Sequence, residues 1–121
     1  MALGSVWARL KAIGGGTDRA IPTIASATAL VLNDDSNTFI ISGTTAITSI
    51  STTHTPIRPG RICVFHTSDT TGPAWTDTAY ASKANGTVSL SAALTQAKGT
   101  TLTLQQTNDG SWFELARAVN G

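Results

Sequence analysis

Hydrophobic and polar positions along this chain alternate in short runs, each ended by glycine, proline or a cluster of Asn, Asp and Ser. Period-two alternation marks a strand with one buried face. It is cleanest over residues 100–106, where Leu102 and Leu104 point inward and threonines outward. Residues 38–42 form a second predicted strand, broken at Gly43, and residues 45–50 a third. Residues 29–32 end at the polar run 33–37, which has turn chemistry. Residues 61–66 carry apolar side chains on both faces and are expected to be the most buried strand. Residues 88–90 read as a short strand. Asn108, Asp109 and Gly110 predict a hairpin turn into a return strand over 111–117. Residues 54–60, with Pro56 and Pro59, read as ordered loop. Residues 68–85 are the longest stretch without clear periodicity and contain Gly72, Pro73, Trp75 and Tyr80. No helix is expected beyond residue 22. The fold class is all-β: a compact β-sandwich, barrel or β-helix-like module of short strands.

Residues 1–22 follow a different pattern. Val6, Leu10 and Ile13 fall at i, i+4 and i+7, with Trp7 beside them and Arg9 and Lys11 elsewhere on the wheel. Ser5 can cap the start, and Gly14, Gly15 and Gly16 end the pattern. A two-turn amphipathic helix on a flexible joint is predicted: an N-terminal anchoring arm over 1–22, ahead of a β-rich trimerisation and surface domain over 23–121. So short a helix is marginal alone in water and needs a surface to dock on. That surface is either its own domain or a partner. On the second reading, Val6, Trp7, Leu10 and Ile13 are the partner-anchoring residues.

Composition turns this picture toward self-association. At 121 residues the chain makes one domain, and its charged fraction of 12% is about half that of ordinary soluble domains. Threonine and serine, 21 and 11 residues, fill the gap. Strand edges dressed in hydroxyls rather than lysines are poorly defended against pairing, so a partner subunit is expected to cover them. The net charge of +1 speaks against a nucleic-acid or anionic-lipid partner. No run approaches the roughly 20 apolar residues of a membrane span. The start lacks the pattern of a secretory signal, so synthesis in a cytoplasm is expected. Cys63, the single cysteine, excludes an internal disulfide, and its apolar neighbours predict a buried, inert thiol.

Catalytic and metal chemistry find little to work with. Asp34, Asp35, Asp69, Asp77 and Asp109 fall in predicted turns, where Asp hydrogen-bonds its own backbone. Asp34 and Asp35, with Asn33 and Asn37, lack the spacing and glycine of an EF-hand loop. His54 and His66 have no ligand at zinc spacing. The triple glycine follows a helix and is not followed by Gly-Lys-Ser/Thr, so it is no phosphate loop. A nucleophile elbow is absent. Asn85, Gly86 and Thr87 match a glycosylation acceptor but read as a turn. No enzyme activity, cofactor or metal is expected. Trp75, Tyr80 and Trp112 are candidate exposed aromatics for a neighbouring chain or a glycan. Trp112 and Phe113 are adjacent on a strand, so one points in and the other out.

The order of Leu32, Phe39 to Ile50, Pro59-Gly60-Arg61, Val64-Phe65, Gly99 to Leu104, Asp109-Gly110 and Trp112 to Arg117 resembles a β-strand module of tailed-bacteriophage virion proteins, met in tail fibres, tailspikes and head decoration proteins. The resemblance covers about residues 24–117. It implies a compact β-rich unit that forms a homotrimer and carries no catalytic residues. The segment from Trp75 to Tyr80 lies in the variable part of that module, and nothing carries over for it. With only about 22 residues before the module, the expected role is a capsid decoration (cement) protein, made in the host cytoplasm and seated on the virion's capsid surface against the major capsid protein. The alternative is a tail fibre or tailspike module that binds a host surface glycan, with Trp75, Tyr80 or Trp112 as stacking platform. A lyase or hydrolase fragment is disfavoured, because no acid/base constellation stands out.

Overall fold

The computed structural model describes residues 20–53 and 56–120. The predicted helix, with Val6, Trp7, Leu10 and Ile13, and also His54, lie outside the described residues. The described chain is all-β, with a curled, half-barrel sheet. Its strands are β1 (Thr23–Ala25), β2 (Ala29–Leu30), β3 (Thr38–Ser42), β4 (Ser49–Ile50), β5 (Ile62–Thr67), β6 (Thr71–Trp75), β7 (Val88–Ser89), β8 (Leu94–Ala97), β9 (Thr100–Gln106) and β10 (Trp112–Val119). A 3-10 turn over Tyr80–Ser82 precedes β7.

The first half of the chain winds in coils. β1, β3 and β5 lie side by side in parallel, and each is followed by a corner and a short stretch in a second layer. There β2 pairs in parallel with β4, and Ile47 bridges in parallel to Trp75 of β6. Gly43 turns the second corner at φ +83, a backbone conformation that strains any side chain. The second half returns antiparallel. β8 closes onto β6, β9 onto β5, and β10 onto β9, while β7 pairs in parallel with the start of β10. The main sheet therefore runs β1-β3-β5-β9-β10-β7. The β9–β10 hairpin turns at Asn108, Asp109 and Gly110, as the turn chemistry predicts, with Gly110 at φ +87.

The core fills the space between the layers. Phe39, Ile41, Cys63, Phe65, Leu102, Leu104 and Trp112 come from the main sheet, and Leu30, Ile47, Ile50, Trp75 and Leu94 from the second. Phe65 stacks on Phe39 at 5.8 Å between ring centres and meets Trp75 at 5.2 Å.

Two expectations are corrected. Strand β5 is not buried on both faces: it alternates, and Ile62 is 44% exposed, because none of the described elements packs on the outer side of the sheet. β9 is the more buried strand, its inward residues lying beneath the second layer. Residues 68–85 also hold a strand, β6, whose alternation is interrupted by a register shift between Thr71 and Ala74.

Candidate interaction surface

The outward positions of the main sheet form a grid set by strand register. One row runs Thr23, Ile40, His66, Thr101 and Ala118. The next holds Thr38, Val64, Thr103 and Ala116, and a third Ile62, Gln105 and Phe113. Their partners on the same strands face the core, so alternation alone places these side chains on the opposite side. None is Asp, Glu, Lys or Arg, and His66 is the one ionisable group. All remain half-buried or exposed, so among the described residues no element covers this face.

The two margins of the sheet differ. β1 presents an edge of only three residues. β10 is longer, and β7 covers it only at Trp112 and Phe113. Beyond them Leu115 sits in a bulge and is 46% exposed. Here Glu114 and Arg117 are turned toward the second layer. Arg117 donates to both carboxylate oxygens of Glu114, from Nε at 2.6 Å and Nη2 at 2.8 Å. The same guanidinium donates from Nη2 to the carbonyl of Ala92 at 2.7 Å. Ser91 donates its N–H and hydroxyl to Glu114 Oε1. Arg117 holds the Glu114 carboxyl down at about 2, with Ser91 adding to that and burial opposing it. Residues 91–93 are thus strapped beside the open edge by side chains. Inward-turned charge and a covering loop are both ways of blocking strand addition.

A second polar cluster closes the β9–β10 hairpin. Lys83 Nζ donates to Asp109 Oδ2 at 2.7 Å and lies 5.2 Å from the centre of the Tyr80 ring. Asp109 Oδ1 accepts from the Thr107 hydroxyl and from the N–H and hydroxyl of Ser111. The Lys83 ammonium, foremost, and these donors push the Asp109 carboxyl far below its usual range. A shallow cleft of about 700 Å³ opens at the end of β10, between Thr70, Ala97, Lys98, Thr100 and Val119.

The structure separates the sequence-predicted aromatics and corrects two of them. Trp75 is 2% exposed and Trp112 1%, so neither is a surface platform. Trp75 lies under Phe65, and Trp112 is the inward member of the Trp112–Phe113 pair. Tyr80 is exposed at 56%, with Lys83 on one side of its ring. The acidic residues mostly serve turns and corners: Asp69 accepts from the N–H of Gly43, and Asp77 from that of Leu90. Asp34 pairs with Arg58 in the open, where such a bridge contributes little. Among the described residues no three His, Cys, Asp or Glu side chains come together as a metal site, and no helix is long and apolar enough to cross a membrane. The outward grid carried a signal in sequence, alternation without charge on the polar side of each strand, but its rows exist only once register is set.

Comparison with protein-family models, with curated proteins and with solved structures returns no match to this chain.

Proposed function

We propose that this chain is a structural protein of a tailed-bacteriophage virion, a capsid decoration protein that assembles as a homotrimer and binds between capsomers. Three features support the reading. Residues 24–117 resemble the β-strand module of such proteins, the coiled all-β architecture suits a rigid surface unit, and the outward sheet face is free of fixed charge. The last of these carries it, because an open, uncharged face of this extent is what a subunit of an assembly presents.

The mechanism is mechanical. A protein that binds only the assembled shell stabilises it by mass action. Apolar burial against the major capsid protein supplies that binding, with Val6, Trp7, Leu10 and Ile13 as the anchor and the indole as its main contributor. The test is co-sedimentation with purified expanded shells. The core of the described residues runs from Ile24 to Trp112. The truncated protein is expected to stay folded and to remain in the supernatant. Undiminished shell binding by it would remove the anchor.

The alternative, a glycan-binding module of a tail fibre, now rests on Tyr80, because Trp75 and Trp112 are in the core. Glycan binding lost on Tyr80→Ala would favour it.

A further inference from the structure

We infer that the outward face of the six-stranded sheet is an interface between copies of this chain, centred on Val64 and Thr103. The inference rests on the self-associating part of the reading above and is independent of its virion part.

Charge argues for a second copy as the occupant. The three outward rows hold β-branched, aromatic and small side chains, with Gln105 and His66 among them, and no carboxylate, ammonium or guanidinium. A strongly charged partner would find nothing to pair with there, and desolvating its charges would go uncompensated. Copies of this chain that bring the same face together oppose no carboxylate, lysine or arginine of like charge. Depletion of charge is also what marks the centre of subunit interfaces.

Area argues the same way. The face spans five strands, β1, β3, β5, β9 and β10. At about 4.8 Å between strands and about 6.7 Å between rows its twelve positions cover roughly 400 Å² in projection, and more in accessible surface. That is the order of the ~800 Å² that one partner brings to a standard interface. Ile62, 44% exposed, and Phe113 place apolar bulk at one end of the patch, joined through Gln105.

The margins point to the face by exclusion. Edge-to-edge addition at β10 meets the Glu114–Arg117 pair and the strapped segment 91–93. At β1 it has three residues to work with. Pairing through the backbone is opposed at one margin and short at the other, whereas no described element covers the face across its width.

The test compares the full-length wild type with Thr103→Lys and Ala116→Lys by sedimentation equilibrium, with far-UV circular dichroism to confirm folding. Both substitutions put an ammonium in the central row, and Ala116 is exposed in the single chain, so its variant folds even if Thr103→Lys does not. The wild type is expected to be a defined oligomer. Each folded variant is expected to associate at least ~100-fold more weakly, since like charges brought together at an interface cost several kcal/mol. Wild-type association strength in a folded variant overturns the inference, and so does a wild type that stays monomeric at millimolar concentration. In that second case, association gained on deleting residues 2–19 would identify the arm as the face's cover. Shell co-sedimentation is scored separately: an intact oligomer that ignores shells counts against the virion reading alone.

Discussion

The indole Nε1 of Trp75 donates a 2.8 Å hydrogen bond to Oε1 of Gln96, and Nε2 of Gln96 donates in turn to the carbonyls of Phe65 and Thr100. Both side chains are shut off from water. One amide thus joins the second layer to β5 and β9, and every side-chain polar atom of the Trp75–Gln96 pair has a partner.

Gln96→Leu keeps the volume but strands the Trp75 N–H in apolar surroundings. A loss of about 2–3 kcal/mol is expected, the penalty for a buried donor left unpaired plus a share of the lost bonds. Adding Trp75→Phe removes that donor, so the double variant is expected to be more stable than the sum of the two single losses. Equilibrium urea unfolding of the four proteins measures the coupling. Strict additivity would contradict it.

Glu114 makes stability depend on acid. Its carboxyl is held at about 2 against an ordinary 4.5, so the folded state binds the proton less readily than the unfolded one. That contribution is complete above about pH 4.5 and is lost as pH falls toward 2. The side chain is only 5% exposed, and the shift corresponds to roughly 3 kcal/mol. Glu114→Gln is expected to lower the urea midpoint at pH 7 and to flatten the decline between pH 5 and pH 2. Equal steepness in both proteins would assign the acid limb to other carboxylates, Asp109 first.

Gly60 and Gly110 share the same backbone conformation, φ +87, in different surroundings. A Cβ at Gly60 meets nothing, whereas at Gly110 it would collide with the Asn85 side chain. Gly60→Ala is expected to cost about 1 kcal/mol, the left-handed strain alone. Gly110→Ala should cost distinctly more, about 2–4 kcal/mol, because displacement of Asn85 is added to the same strain. Thermal unfolding of the pair separates conformation from contact.

Cys63 is buried, and that burial, only partly offset by the nearby Arg61 guanidinium, pushes its thiol up to about 11. At pH 8 the thiolate fraction is then ~100-fold smaller than for an ordinary thiol, before access is considered. Modification by an aromatic disulfide reagent is expected to be at least that much slower in native protein than in denaturant. Rapid labelling of the folded chain would show that β5 opens.

Some of this molecule is written locally. The alternation of Leu102 and Leu104 with threonines, the break at Gly43, the turn at Asn108, Asp109 and Gly110, and the burial of Cys63 all appear in the structure as the chain predicts them. Each depends on neighbours within a few residues, where side-chain period and backbone conformation act directly.

β6 escaped this reading because Gly72 and Pro73 sit beside a register shift and erase its period. Its Trp75 was therefore legible as an aromatic but not as core, and the same limit held for choosing between Trp112 and Phe113, since alternation assigns two faces without saying which one is covered. Which strands lie side by side was decided between distant segments: β1 beside β3 and β5 in parallel, β9 reversed against β5. Only that order gives Gln96 its three partners and brings Val64, Thr103 and Ala116 into one row. Short-range sterics determine where a strand runs, whereas its neighbours are set by the burial that closing long loops makes possible.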